Sequence, residues 1–145
     1  MDRLIKKHRV FMDTAKLMSS LSTCIRHNVG AIIVTEDNSQ IVGIGYNGNY
    51  SGGKNCCEIN EPGLCGCIHA EQNALLKFSS IIYKNAKMFT TLSPCLMCAK
   101  LIVNAGIKSV YYKEDYRNLT PLSVLRESGV CVEKLNWIIL IMKLS

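Results

Sequence analysis

Long apolar runs are missing from this sequence. None reaches the roughly 18 residues of a bilayer span, and the C-terminal WIILIMKL is too short for one. That segment is expected to pack on the body. The opening MDRLIKKHR is charged and no apolar stretch follows it, so the expectation is a chain without a secretory signal, working in the cytoplasm. No Pro- or Ser-rich linker and no internal repeat divides the 145 residues, and a single domain over 1–145 is expected. Acidic residues are outnumbered, 11 against 17 basic, for a net charge of +6. A moderate positive charge suits an anionic partner, but no basic stripe or aromatic ladder accompanies it, so a nucleic acid or membrane partner is not expected. Charged residues make up only 19% and hydrophobic ones 48%, which excludes a disordered chain.

Cysteine, by contrast, is abundant: Cys24, Cys56, Cys57, Cys65, Cys67, Cys95, Cys98 and Cys131. Cytosolic cysteines point to metal rather than disulfides. Cys65-Gly66-Cys67 is a C-x-C, His69 follows by two, and Cys95 and Cys98 form a C-x-x-C. Cys131, inside the apolar Val130–Val132, reads as a small buried thiol.

The spacing of Phe11, Ala15, Met18 and Leu21 predicts a helix over 11–22. VGAIIVT (29–35) and IVGIGY (41–46) read as strands joined by a turn at 36–39, followed by a long loop over 47–64. A helix is predicted over 69–78, a strand over 87–91, and a helix to about Ala105 with Ser93 as its cap and Pro94 in first place. A strand at 107–112, a helix at 120–128, a strand at 130–134 and a short terminal helix complete the order. A hairpin followed by β-α-β alternation implies a five-stranded mixed sheet with helices on both faces, an α/β fold.

His69-Ala70-Glu71 and Pro94-Cys95-x-x-Cys98 match the H-x-E…P-C-x-x-C signature of zinc-dependent nucleobase deaminases. Two thiolates three apart in a first helical turn point to one side, and the helix N-terminus favours their ionised form. With one imidazole they form a three-ligand set that leaves a zinc ion's fourth position open. Two thiolates also weaken the metal as a Lewis acid, so a nearby base is needed. Glu71 is the candidate, close to the metal but not needed as a ligand. A closed structural zinc ribbon would need a fourth ligand and would have no use for the glutamate.

Over about residues 10–135 the sequence resembles the dCMP deaminases, phage and bacterial ones included, of the cytidine-deaminase superfamily. Besides the two motifs, the resemblance rests on STCIRHNVGAIIV, GIGYNGNYSGGKNCC, CIHAEQNAL, TLSPCLMCAKLIVNAGIKSVYY and KEDYRN. It implies a three-layer α/β/α sandwich around a five-stranded mixed sheet, and hydrolysis of dCMP to dUMP and ammonia, supplying thymidylate synthesis. It places Asn47 against the deoxyribose, Arg26 on the 5′-phosphate, and Tyr116 and Arg117 as further phosphate or sugar contacts. It also implies a second, structural zinc: Cys24 and Cys56 fall at ligand positions, Cys67 where a carboxylate ligand can stand, and Cys65 or Cys57 as the fourth, Cys65 favoured because C-x-C chelates.

The resemblance further implies a homo-oligomer, a hexamer, with dCTP activating and dTTP inhibiting in the presence of Mg2+. Leu76–Ser80 (LKFSS) lacks the arginine that some regulated members carry there. dCTP is a second candidate substrate. Two rival readings are a polynucleotide deaminase, which would want surplus arginines along a strand path, and a non-catalytic zinc module binding nucleic acid, supported only by the net charge.

Overall fold

His8, Phe11, Met12 and Ala15 form one buried stripe along a single long helix, α1 (Arg3–Ser19). The computed structural model, which describes residues 2–59, 61 and 64–136, starts this helix well before Phe11. The sequence pattern missed the first turns because RLIKKHR is dominated by charge and His8 is the one buried residue in it. What starts the helix is Asp2, whose carboxylate accepts the Leu4 N–H at 2.7 Å. At the other end α1 stops at Ser19, and Leu21 is exposed rather than buried.

Strands β1 (Gly30–Val34) and β2 (Ile41–Tyr46) form the expected antiparallel hairpin. Its turn is stitched by Asp37, which accepts from the Thr35 and Ser39 hydroxyls. β3 (Lys87–Leu92) runs antiparallel to β1, with Ile32 opposite Phe89. β4 (Ser109–Glu114) and β5 (Cys131–Lys134) then add in parallel, giving the order β2-β1-β3-β4-β5. The fold is therefore α/β with a five-stranded mixed sheet, as expected.

Side-chain alternation assigns the layers. Ala31, Ile33, Met88 and Val110 face α2 (Ala70–Leu76), α3 (Leu96–Asn104) and α4 (Thr120–Glu127), through Ala70, Ala74, Ala99, Ile102, Leu122 and Leu125. Ile32, Val34 and Phe89 face α1 on the opposite side. Fully burying each of the larger residues contributes about 1.5–3 kcal/mol. His8 lies in the α1 layer with its ring 4.5 Å from Tyr111 and 5.4 Å from Phe89. Burial, and then Lys87, lowers its pKa.

Several boundaries move for local reasons. α3 is capped by Cys95, not Ser93: the Cys95 sulfur accepts the Cys98 N–H, while Ser93 is buried and receives the Tyr116 N–H at 2.7 Å. α2 begins after His69, whose own N–H goes to Gln72 Oε1 at 2.7 Å, and it ends at Leu76. Strand β4 starts at Ser109, since Ile107 is buried outside the ladder. Cys131 is exposed on the edge strand, correcting the expectation of a buried thiol. The expected terminal helix in 137–144 lies outside the described residues.

Helix α2 lies directly on the backbone of β2. A Cβ at Gly45 would collide with the Ala70 carbonyl oxygen, and one at Gly43 would lie 2.9 Å from the Ala74 carbonyl oxygen. No side chain fits there without pushing the helix away. Gly45→Ala is expected to cost about 1–3 kcal/mol or more by overpacking, and to lower metal retention because His69 and Glu71 move with the helix. Denaturant unfolding and metal analysis of the variant check both outcomes.

Candidate active site

β3 and β4 end on the same edge of the sheet, and the segments that leave them bring the site together. Ser93-Pro94-Cys95 follows β3 into α3, and Tyr116-Arg117 follows β4. His69 and Cys95 are both N-caps, so two helix starts meet here. His69 Nδ1 lies 3.4 Å from Cys95 Sγ and 3.3 Å from Cys98 Sγ. A zinc ion with Zn–N of about 2.0 Å and Zn–S of about 2.3 Å in tetrahedral geometry separates N and S by roughly 3.5 Å. The three donors therefore fit that ion with small adjustment.

The proton affinities fit the same conclusion. Cys95 is lowered to about 4, first by the Cys98 thiol and then, against burial, by His69. Cys98 is pushed up, first by the neighbouring Cys95 sulfur and then by burial. Close sulfurs cannot both ionise unless a cation stands among them.

Glu71 is 4% exposed, in the first turn of α2. Its Oε2 lies 3.8 Å from Cys98 Sγ and its Oε1 3.5 Å from Thr90 Oγ1. Burial is the main influence that raises its pKa. It stands beside the donor set without joining the three-residue metal group.

A second cluster of donors lies next to the first. Cys24, Cys57, Cys65 and Cys67 bring their sulfurs within 4.8 Å of one another. Cys24 and Cys57 are 3.5 Å apart, Cys57 and Cys67 3.5 Å, and Cys24 and Cys65 4.0 Å. The edge of a tetrahedral ZnS₄ unit is about 3.8 Å. These are not disulfides: all four cysteines are free. Cys56 is exposed and takes no part, so the sequence-based choice of Cys56 is corrected to its neighbour Cys57. Vicinal residues in an irregular loop point opposite ways, and spacing alone does not say which one turns inward.

The C-x-C reaches its position because Gly66 has φ +76°, a conformation that side chains rarely adopt. The Cys65 carbonyl receives the Glu58 N–H at 2.9 Å, which folds the two arms of the loop together. Burial favours the protonated form of Cys24, but the His27 and Arg26 backbone amides and the Cys57 and Cys67 thiols together outweigh it and bring the thiol to about 7. Cys67 is raised, by burial first and then by Cys57 and Cys24.

Both clusters open on one cavity of about 520 Å³, within the range of small-molecule sites. Arg26, Asn47, Tyr116 and Arg117 all line it, together with Glu71 and His69. Asn47 is 7% exposed, and its amide is largely committed to backbone: Oδ1 accepts from Val29 N at 2.8 Å and Nδ2 donates to the His27 carbonyl at 2.6 Å. Its position is fixed, with one N–H and one lone pair left for a ligand. Arg117 donates to the Tyr116 hydroxyl at 2.6 Å and lies over that ring at 4.9 Å. Sequence reasoning passed over His27, which follows Arg26 directly and packs edge-on against Tyr116 at 5.8 Å. It also passed over Thr90 beneath Glu71. Among the described residues no helix is long and apolar enough to cross a membrane.

Residues 5–114 match the family described as "Cytidine and deoxycytidylate deaminase zinc-binding region". The chain is 40% identical over 137 residues to ComE operon protein 2 of Bacillus subtilis, covering 90% of this chain and 71% of that protein. It is 33% identical over 139 residues to the deoxycytidylate deaminase of Saccharomyces cerevisiae, covering 88% of this chain but only 44% of that longer enzyme. A crystal structure of the dCMP deaminase of cyanophage S-TIM5 in complex with dCMP and dUMP superposes with a TM-score of 0.82 and 43% identity, over 93% of this chain and 99% of that one. Motifs, sheet order and donor geometry agree with these relationships: the chain belongs to the cytidine and deoxycytidylate deaminase zinc-binding family.

Proposed function

We propose that this chain hydrolyses dCMP to dUMP and ammonia. The observation that carries the reading is one buried carboxylate, Glu71, beside a His-Cys-Cys donor set in a cavity that also carries two arginines. The full-length similarity to a phage enzyme solved with dCMP and dUMP supports the choice of substrate.

His69, Cys95 and Cys98 would hold a zinc ion, which when bound supplies the Lewis acidity that makes water nucleophilic near neutral pH. Glu71 accepts a proton from the attacking water and delivers it to the ring nitrogen beside C4; it then takes the second proton from the new C4 hydroxyl and gives it to the exocyclic amine, so that the C4=O bond forms as the C4–N bond breaks and ammonia departs. Its burial suits a group that must carry a proton rather than hold a permanent charge. Asn47, fixed by two backbone hydrogen bonds, orients the sugar. Arg26 and Arg117 take the 5′-phosphate, for which guanidinium is well matched.

The same reading includes a structural zinc on Cys24, Cys57, Cys65 and Cys67, a cytoplasmic setting (the host's, for a viral chain), and a homo-oligomer with a hexamer as the family arrangement. Exposed Ile41, Ile44 and Tyr46 on the edge strand β2 offer apolar surface for such contacts. It also includes dCTP as a second substrate and control by dCTP and dTTP with Mg2+. Initial-rate curves against dCMP, with and without those effectors, test the control: sigmoidicity relieved by dCTP is the expected sign.

Three outcomes test the core of the proposal. Glu71→Gln should keep its metal and lose about 10²- to 10⁴-fold in turnover, followed by the fall in cytosine absorbance. Wild-type activity in that variant would remove Glu71 from the mechanism. Arg26→Ala should raise KM for dCMP by roughly tenfold and change deoxycytidine kinetics little, since only the nucleotide carries a phosphate. Metal analysis should find about two zincs per chain, falling to about one in Cys57→Ser and unchanged in Cys56→Ser. Loss of zinc from the Cys56 variant instead would refute the Cys57 assignment.

A further inference from the structure

β4 ends at Glu114, and residues 115–119 carry the chain to α4. In the sheet β4 lies between β3 and β5, and both neighbours reach this short segment. From the β3 side the buried Ser93 holds it twice. The Ser93 N–H donates to the Glu114 carbonyl at 2.9 Å, and its hydroxyl accepts the Tyr116 N–H at 2.7 Å. From the β5 side Lys134 Nζ lies 2.7 Å from Asp115 Oδ2, the one salt bridge among the described residues. Lys134 is the last residue of β5, opposite Tyr112 in the ladder, and the Leu135 N–H that follows it donates to the Tyr112 carbonyl at 2.8 Å. Its backbone is therefore fixed beside the point where Asp115 leaves the sheet. The Lys134 hydrogen bond is also the main cause that holds the Asp115 carboxyl below the ordinary range.

The segment clamped in this way presents Tyr116 and Arg117 to the main cavity, which neither Asp115 nor Lys134 lines. Arg117 is exposed, yet its guanidinium is held by the Tyr116 hydroxyl at 2.6 Å and lies 4.9 Å over that ring. A side chain ordered before binding loses less freedom when an anion arrives. An acid two residues before such an arginine would oppose the anion unless a cation took up its charge, and Lys134 does so.

We propose that Lys134 is a positioning residue for the 5′-phosphate of the substrate: by holding Asp115 it sets where Tyr116 and Arg117 stand over the cavity. This rests on the reading that Arg117 takes the phosphate, and it adds the edge strand β5 to the elements that build the site. Lys134 touches neither substrate nor reacting atoms, so its loss acts on KM for the nucleotide and not on kcat. A clamp also differs in sign from a bare charge. If Lys134 acted only as a distant cation, removing the Asp115 charge would improve phosphate binding. If the two act as a clamp, losing either one weakens it.

The test measures kcat and KM for dCMP and for deoxycytidine on the zinc-loaded full chain. Lys134→Met and Asp115→Asn are each expected to raise KM for dCMP about two- to fivefold, the scale of an exposed ion pair, with kcat and the deoxycytidine kinetics unchanged. Lys134→Arg should keep the wild-type KM. Lys134→Met should add nothing in an Arg117→Ala background, because it acts through Arg117. An unchanged KM in both single variants, a lower KM in Asp115→Asn, or an equal loss with deoxycytidine overturns the positioning role and leaves the dCMP reading intact. A wild-type KM for dCMP in Arg117→Ala removes the phosphate role of Arg117 and the positioning role with it.

Discussion

His69 and Cys95 are each the N-cap of a different helix, and only 3.4 Å separates the imidazole nitrogen from the sulfur. That proximity leaves little tolerance in how α2 and α3 sit on the sheet. α3 is placed by β3, the strand whose C-terminal end runs straight into Pro94 and Cys95. α2 has no strand feeding it, since the chain arrives from a long loop. Its position is set instead by direct contact with β2, where Gly43 and Gly45 let the helix backbone settle on the strand. The glycine pair thus serves the chemistry without lying in the site: it sets the height of His69 and Glu71 above the sheet.

The loop that delivers α2 needs its own anchor. It carries little apolar surface, and a segment of that length closed by hydrophobic contact alone would be loose. Four sulfurs are placed where an anchor is needed, with Cys57, Cys65 and Cys67 of the loop gathered beside Cys24 ahead of β1. A Gly48–Ile68 bridge and the Asn47 amide close the same seam. Arg26 lies two residues beyond Cys24, so whatever fixes the sulfur cluster also fixes one side of the cavity. Stability of the loop and the shape of the binding site are one problem here, solved by one set of side chains.

Most of the sheet could be read from VGAIIVT, IVGIGY and the alternation that follows them, because buried strands announce themselves as apolar runs. The His-Cys-Cys donor group could be read as well, since two short motifs specify both residue types and spacing. The misreadings share a cause: each depended on direction rather than on composition. The first turns of α1 bury His8 within a run otherwise dominated by charge, so periodicity pointed to Phe11. Ser93-Pro94 has the composition of a helix start, yet the Cys95 sulfur makes the capping bond and frees Ser93 to hold the Tyr116 amide. Cys56 and Cys57 are identical in type, and only the fold of the loop decides between them.

Charge is sorted around the cavity in a way that the net value of +6 does not reveal. Among the described residues Glu71 is the one carboxylate lining the main cavity, and it lies buried beside the metal donors, while Arg26 and Arg117 line the same cavity. A substrate with an amidine-like ring at one end and phosphate at the other meets the opposite need at each end. The ring end requires a proton carrier in a water-poor setting, where burial keeps the carboxylate ready to take up a proton. The phosphate end requires fixed cations that remain charged throughout. A single nucleotide spans both, so a small domain can separate acid–base chemistry from anion binding within one cavity.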